Sequence, residues 1–171
     1  MRFIKLFLIG IVVLFVVLTG LSLLFPGNVR ISRTVEMAVA REKAYAVLSD
    51  FRTWERWNGF IRGTPLTGKS FSSPSAGKGA MLRSDQLVIT EGPSDSNYLR
   101  FDWNLVKGRR FQGGFSLLQI HPESLTVQYW FDFHLRWYPW ERLGIFVYDR
   151  QWGPMMEESL DSLKLYLENS P

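Results

Sequence analysis

The stretch Ile31–Phe60, ISRTVEMAVAREKAYAVLSDFRTWERWNGF, changes its hydrophobic period halfway along and thereby predicts the fold around it. From Val29 to Val39, apolar and polar residues alternate with the two-residue period of a half-buried strand, and Arg33 is the exception on the apolar face. The i, i+3, i+4, i+7 spacing of a helix then connects Ala44, Val47, Leu48 and Phe51. We therefore expect a strand followed directly by a helix.

Short strands separated by turn residues are predicted after the Gly-, Ser- and Pro-rich loop at 63–79. The candidates are Ala80–Ser84, Gln86–Glu91, Tyr98–Lys107 and Arg109–Ile120. The clearest strand comes last, and its apolar face contains Leu125, Val127, Tyr129, Phe131, Phe133, Leu135 and Trp137. Trp130 is the exception on its polar face. Together these segments predict an antiparallel meander with five or six strands.

A C-terminal helix is predicted to cover the apolar face of that sheet. Its buried positions repeat at intervals of four, three and four residues, at Met156, Leu160, Leu163 and Leu167. Gly153 and Pro154 precede them, and we expect this pair to kink the helix or to restart it with Pro154 near the first turn.

The N-terminal segment Leu6–Phe25, LFLIGIVVLFVVLTGLSLLF, carries no charge over twenty residues. At about 1.5 Å per residue its length matches a hydrocarbon core of roughly 30 Å. A cleavable signal peptide has a shorter apolar region and an A-x-A-like site, so we expect an uncleaved anchor at 1–27 and a domain at 28–171. Arg2 and Lys5 favour a cytoplasmic N-terminus in the cell membrane with an extracytoplasmic domain, although Arg30 and Arg33 place positive charge on the other flank.

This order of elements resembles the START-like helix-grip superfamily (SRPBCC), in particular its polyketide cyclase/dehydrase branch. The matching segments are ISRTVEMAV, the pattern L-S-D-x-x-x-W-x-x-W at 48–57, the hairpin ITEGPSDSNYLRFDW and the closing segment from residue 138. The resemblance implies an α+β helix-grip fold, in which a curved antiparallel β-sheet wraps around a long C-terminal helix, here preceded by one transmembrane helix. It also implies a hydrophobic pocket between the sheet and that helix.

The aromatic strand faces supply a suitable lining for such a pocket. We expect the cavity-lining residues to be Trp54, Trp57, Phe101, Trp103, Phe115, Tyr129, Phe131, Phe133, Met156 and Leu160. The Tyr129 hydroxyl and the Trp103 indole N–H would be the polar atoms in it. Equally, side chains of this size on converging strands can fill the interior completely. Trp57 is expected to complete the core and Trp54 to lie near the opening, with core packing as the alternative role for Trp54.

Three functions remain open from the sequence. The first is a membrane-anchored module that binds a hydrophobic small molecule or lipid without catalysis. The second is a filled-core structural or interaction domain of the cell envelope whose outer sheet face binds a protein, which the sequence does not identify. The weakest is a cyclase-like enzyme acting on an aromatic substrate, for which the candidate acids and bases are Glu91, Asp102 and Glu141.

Residue types and motifs narrow the chemistry further. No cysteine is present, which excludes disulfides, thiolate metal sites and a cysteine nucleophile. The sequence contains no H-E-x-x-H, G-x-S-x-G or P-loop pattern, and His121 and His134 are expected to be ordinary surface residues. We expect no metal and no cofactor. Nucleic-acid binding is not expected, because the aromatic residues alternate inward and the basic residues are dispersed.

A second aromatic cluster follows the last predicted strand. It comprises Trp137, Tyr138, Pro139 and Trp140, with Phe146, Tyr148 and Trp152 beyond them. Tryptophan and tyrosine favour the headgroup zone of bilayers, so this segment is a candidate for membrane contact. Packing of the helix against the sheet explains the cluster equally well.

Overall fold

The computed structural model describes residues 2–24, 26–63, 66–121 and 124–169. The helices are α1 (Arg2–Ser22), α2 (Arg41–Ser49), α3 (Trp54–Trp57), α4 (Gly59–Arg62), α5 (Pro139–Leu143) and α6 (Ile145–Asn169). The strands are β1 (Asn28–Met37), β2 (Ser70–Phe71), β3 (Met81–Arg83), β4 (Leu87–Glu91), β5 (Tyr98–Leu105), β6 (Arg110–His121) and β7 (Ser124–His134).

The strands form one seven-stranded antiparallel sheet in the order β1-β7-β6-β5-β4-β3-β2. The first strand pairs with the last, from Asn28 opposite His134 to Met37 opposite Leu125. This sheet curls around the long C-terminal helix α6, so the predicted helix-grip fold is confirmed. Alternation places one set of side chains on the inner face against α6 and the other set on the outer face.

Two short elements differ from the prediction. The strand β2 lies inside the segment predicted as a loop, where Ser70 and Phe71 pair with Arg83 and Leu82. Two residues are too few to show a period, which is why the pattern missed it. The helix α5 begins at Pro139, the position where a missing backbone N–H costs no helical hydrogen bond.

The helix α6 runs through Gly153 and Pro154 without a restart, so the expected first turn at Pro154 is wrong. Arg33 provides a reason for the glycine. Its guanidinium forms ion pairs with Asp149 and Glu157, one on each side of Gly153 along the helix. A Cβ at 153 would overlap Arg33 Nη2, so the glycine leaves room for the guanidinium in this position.

The apolar helix α1 is, among the described residues, the one helix long and apolar enough to cross a membrane by length and composition. Its last residue, Ser22, is buried. The Ser22 carbonyl accepts a hydrogen bond from Arg142 of α5 at 3.3 Å. The Gly27 carbonyl accepts one from the Leu135 N–H at 2.8 Å, so the chain just before β1 lies beside the end of β7.

Candidate functional site

The space between the sheet and α6 is occupied by aromatic side chains. All ten residues predicted to line a cavity lie there, and none is more than 3% exposed. The Trp54 ring contacts Phe101 at a centroid distance of 4.9 Å, and Tyr129 stacks on Phe115 at 4.3 Å. The structure therefore brings the predicted residues together as one cluster, with rings in mutual contact.

Sheet register explains how so many rings share the inner face. Phe101 of β5 lies opposite Gly113 of β6, and Gly113 lies opposite Phe131 of β7. A Cβ at Gly113 would overlap the Phe131 ring and would lie 3.1 Å from Trp103 Nε1. The glycine thus provides the room in which these two aromatic rings meet edge to face.

Trp54 does not lie at an opening, so that expectation is wrong. It is fully buried, and its indole Nε1 donates a hydrogen bond to the Leu48 carbonyl at 2.9 Å. This carbonyl belongs to the last turn of α2, where helical acceptors lack partners within the helix. Trp57 is also fully buried, as expected, and its indole donates to Thr53 Oγ1 at 3.3 Å.

Phe60 and Trp152, which were not among the predicted lining residues, cover the interior on the helix side. Both are half-buried, and their rings stack at a centroid distance of 5.4 Å. The Phe60 ring lies 6.0 Å from Trp103 and 6.3 Å from Tyr129. Phe60 follows Trp57 by three residues, so helical spacing could have placed it next to Trp57. It is carried by α4, which is only four residues long.

Three buried polar atoms close to Phe60 lack a protein hydrogen-bond partner: Asn58 Nδ2, Trp103 Nε1 and Tyr129 OH. A fourth on the inner face, Glu91 Oε1, lies on β4, with β5 and β6 between it and Tyr129. The Asn58 carbonyl oxygen is occupied, because it accepts from the Phe60 N–H at 3.0 Å and so begins α4. Two of these three atoms are obligate donors, and the hydroxyl can donate as well. Buried polar groups without partners are rare in folded proteins, so this group is unusual.

The Tyr129 hydroxyl stays protonated. Burial raises the pKa of Tyr129 far above its ordinary value, and the facing Asn58 amide opposes this only in part. Asn58 Nδ2 and Tyr129 OH nevertheless do not form a hydrogen bond with each other, since neither atom has a partner. Tyr129 can therefore donate or accept a hydrogen bond here, but it does not serve as a base.

The three candidate acids are not assembled with Tyr129. Asp102 lies on the outer face, as alternation predicts, and accepts from Gln112. Glu141 forms an ion pair with Arg109. Glu91 is buried on the inner face, but its strand is separated from that of Tyr129 by β5 and β6. Burial raises the pKa of Glu91, and a hydrogen bond from the Gly77 N–H opposes that shift.

The outer face carries an open groove of about 910 Å³. Three pairs of its polar side chains bind each other: Arg30 with Asp132, Gln112 with Asp102, and His134 with Asn28. Within the described part of the chain, no group of three or more His, Asp or Glu side chains could hold a metal ion.

The second aromatic cluster divides into two parts. Tyr148 and Trp152 pack on Phe133 at centroid distances of 5.1 and 5.3 Å. Trp137 and Trp140 are 56% and 64% exposed. The side chain of Phe146 lies outside the described residues. Core packing therefore accounts for only part of the cluster.

The fold and its aromatic interior define a START-like helix-grip domain. A family model described as polyketide cyclase / dehydrase and lipid transport matches residues 28–168, and the chain belongs to that family. Proteins of this fold include ligand-binding and polyketide cyclase-like domains, and the same fold serves different functions. Among curated proteins, none matches the chain by sequence.

Solved structures share the fold at low sequence identity. A START superfamily protein from Mycobacterium smegmatis is 18% identical, with a TM-score of 0.54 over 81% of this chain and 97% of that one. The Zhui aromatase/cyclase from Streptomyces sp. R1128 is 13% identical, with a TM-score of 0.58 over 82% and 94%. A protein from the dynemicin biosynthetic locus is 18% identical, with a TM-score of 0.56 over 84% of this chain. The chain spans 48% of the length of that protein.

Proposed function

We propose that residues 28–171 form a domain that binds a hydrophobic small molecule or lipid between the sheet and α6, without catalysing a reaction. The observation that carries this proposal is the set of three unpartnered polar atoms, Asn58 Nδ2, Trp103 Nε1 and Tyr129 OH, inside an otherwise aromatic interior. Leaving a buried polar group unsatisfied costs about 1–3 kcal/mol. A bound oxygen acceptor would recover that energy.

The ligand is accordingly an apolar molecule with a neutral oxygen acceptor, such as a ketone, ester or amide carbonyl. Trp103 Nε1 and Asn58 Nδ2 only donate, and Tyr129 OH remains protonated. A carboxylate is disfavoured, because burying an unpaired charge costs far more than burying a carbonyl. The lining of rings accepts the apolar part of the molecule.

Entry of a ligand into the interior requires Phe60 and Trp152 to move, because their stacked rings occupy the side of the interior that faces α4 and α6. Phe60 is the more mobile of the two in this proposal. It lies on a four-residue helix, whereas Trp152 belongs to the 25-residue helix α6. Short isolated helices gain little stability from their own hydrogen bonds.

The helix α1 anchors this domain in the cell membrane as a single pass, with the domain on the extracytoplasmic side. Arg2 and Lys5 at the N-terminal end of α1 support that orientation through the positive-inside preference. A reporter that is active only in the cytoplasm, fused to the C-terminus, is expected to remain inactive. An active fusion would contradict the orientation and leave the binding proposal intact.

Native mass spectrometry of residues 26–171, purified without detergent, tests the binding proposal. This segment keeps the Gly27 carbonyl that pairs with Leu135. We expect an added mass that fragments as a lipid or other apolar carbonyl compound. Trp103→Phe and Tyr129→Phe should each lower its occupancy, and Phe60→Ala should increase uptake from a lipid extract.

Trp130→Phe is the matched control. Trp130 is as buried as Trp103 and its Nε1 is also unpartnered, but it lies on the outer face of the sheet. Occupancy should therefore be unchanged in this variant. An equal fall in Trp103→Phe and Trp130→Phe would mean that general destabilisation, and not recognition, explains the loss.

A filled-core interaction domain is the second candidate, and the close packing of rings on the inner face favours it. Its expected result is a bare polypeptide mass that persists after incubation with a total lipid extract, in the parent chain and in Phe60→Ala alike. The outer-face groove would then be the surface to examine for a protein partner.

A further inference from the structure

We propose that Trp137, Tyr138 and Trp140, here called the aromatic patch, lie in the headgroup layer of an anionic membrane and fix the orientation of the domain on it. This inference rests on the proposed membrane anchor and adds a second, peripheral contact with the same bilayer. It is independent of ligand binding in the interior.

The topology of the sheet places the patch at the membrane. The end of α1 lies next to the start of β1, where Asn28 pairs with His134 at the end of β7. The Gly27 carbonyl binds the N–H of Leu135, two residues before Trp137. The chain thus leaves β7 beside the residues that connect α1 to β1, and the patch follows immediately.

Direct contact with the anchor supports the same placement. Arg142, on the helix that carries Trp140, donates to the carbonyl of Ser22 at the C-terminal end of α1. That end of a helix has unpaired carbonyl groups and partial negative charge, so a guanidinium is stabilising there. The helix α5 is therefore joined to the residue where the candidate membrane span ends.

The patch is exposed although its aromatic side chains are largely apolar. Trp137 and Trp140 are 56% and 64% exposed. The three rings form a row, with Trp137 against Tyr138 at 4.9 Å and Tyr138 stacked on Trp140 at 5.2 Å. Tryptophan and tyrosine concentrate at membrane interfaces, where the ring meets the acyl boundary and the polar atom stays hydrated.

The patch is held rigidly. Glu141 accepts the backbone N–H of Arg136 at 2.8 Å and forms an ion pair with Arg109 in the turn between β5 and β6. Arg109 also donates to the Tyr148 hydroxyl of α6. These contacts join α5 to the sheet and to α6, so insertion of the patch would orient the whole domain.

Basic side chains surround the patch at this edge. Antiparallel pairing puts the end of β5 and the start of β6 at the same end of the sheet as His134. Lys107 in the turn between them and Arg110 at the start of β6 are exposed, and Arg136 is exposed beside Trp137. Positive charge beside interfacial aromatic residues is typical of surfaces that bind anionic lipid headgroups.

Site-specific labelling of the full-length chain tests the proposal. The chain has no cysteine, so Trp137→Cys and Trp140→Cys each provide one site for an environment-sensitive fluorophore. The labelled chains are reconstituted in vesicles of phosphatidylcholine, with or without phosphatidylglycerol, that contain nitroxide-labelled lipid. We expect a blue shift and strong quenching at both positions.

Leu118→Cys is the control. Leu118 is 59% exposed, comparable to the patch, and pairs with Thr126, eight residues and about 26 Å along β7 from His134. Its label should show neither effect. Labels at 137 and 140 that are no more quenched than the label at 118, in chains that keep the parent unfolding transition, would overturn the proposal.

The charge component is tested in the same vesicles. Quenching at 140 should be greater with phosphatidylglycerol present, and Lys107→Gln combined with Arg110→Gln should remove that difference. Equal quenching in both vesicle types before these substitutions would overturn the anionic preference. Release of the unlabelled chain from the vesicles by alkaline carbonate would instead contradict the proposal that α1 is a membrane anchor. A chain that is retained but whose patch labels are unquenched would contradict the proposal for the aromatic patch.

Discussion

The two faces of the sheet differ in the surroundings of their polar atoms. On the outer face many polar groups are exposed and several bind one another, as in the Arg30–Asp132 ion pair, although Trp130 Nε1 is buried there without a partner. On the inner face Tyr129 OH and Trp103 Nε1 are enclosed by rings and have no protein partner. A face that meets water can rely on solvent for hydrogen bonds, whereas a buried face has to provide its own partners. The interior therefore contains polar atoms to which its own residues do not hydrogen-bond.

A buried tryptophan lies on each side of the sheet, Trp54 of α3 on the inner side and Trp130 of β7 on the outer side, and their surroundings differ. Trp54 contacts the rings of Phe51, Trp57, Phe101, Trp103 and Phe115. Trp130 lies between the Tyr98 ring and the Arg30 guanidinium, beside an open groove. The inner tryptophan is enclosed on all sides by the core, while the outer one is covered by two side chains.

The largest expected effect is that of Trp54→Ala. We expect a loss of about 3–5 kcal/mol in the free energy of unfolding, because the cavity is enclosed by rings that cannot collapse into it. Trp130→Ala should cost less, since Tyr98 and Arg30 can close over the space. Denaturant unfolding of residues 26–171 measures both. Equal losses would mean that the two faces are equally well packed.

Gly113 and Gly114 sharpen the comparison, because adjacent residues of one strand face opposite sides. A Cβ at Gly114 would overlap the backbone carbonyl oxygen of Leu99, which cannot move without breaking the sheet. A Cβ at Gly113 would overlap the Phe131 ring, which can rotate. We expect Gly113→Ala to cost about 1–3 kcal/mol and Gly114→Ala to cost more. The opposite ranking, measured by thermal unfolding, would mean that the inner rings are the more rigid constraint.

Tyr129→Phe and Asp132→Ala should have effects of opposite sign. Removing an unpartnered hydroxyl leaves no additional donor or acceptor unsatisfied, so Tyr129→Phe should stabilise the ligand-free domain by up to about 1 kcal/mol. Asp132→Ala breaks a partly exposed ion pair and should destabilise by about 0.2–1 kcal/mol. Chemical unfolding of the ligand-free protein is the measurement. Destabilisation by Tyr129→Phe would show that its hydroxyl does have a partner.

Glu91→Gln should change the pH dependence of stability. Because burial raises the pKa of Glu91, the folded state binds its proton more tightly than the unfolded chain does. The contribution of Glu91 to the free energy of unfolding is therefore full below the ordinary pKa of a glutamate. It is lost as the pH rises through the raised pKa. Relative to the parent, Glu91→Gln should be more stable at about pH 8 than at about pH 4. If the free energies of unfolding of variant and parent differed by the same amount at both pH values, this expectation would be contradicted.

Periodicity was sufficient for the elements that span many residues. The alternation over Val29–Val39 and Leu125–Trp137 predicted β1 and β7, although β7 ends at His134 and Trp137 is exposed. The spacing of Met156, Leu160, Leu163 and Leu167 predicted the covering part of α6. Contacts between distant residues lay beyond the reach of such patterns. Arg33, the exception to alternation in β1, has its reason in Asp149 and Glu157 on α6.

The interior shows the same limit. Alternation identified the rings of β5, β6 and β7, but it could not show that Trp54 would be directed to the Leu48 carbonyl. Nor could it show that Phe60 would stack on Trp152, since that contact joins residues on α4 and α6. The partner of each polar atom depends on three-dimensional geometry that a single sequence does not encode as a local pattern.

The pairing of β1 with β7 has a consequence for biogenesis. β1 emerges directly after the candidate membrane span, yet its sheet partner is the last strand of the chain, so its backbone donors stay unpaired until synthesis is nearly complete. Sheets built from such distant segments form slowly, and their intermediates expose apolar strands. Until β7 has been made, the apolar side chains of β1 have no sheet to pack in, so the growing chain is most prone to aggregation in that interval.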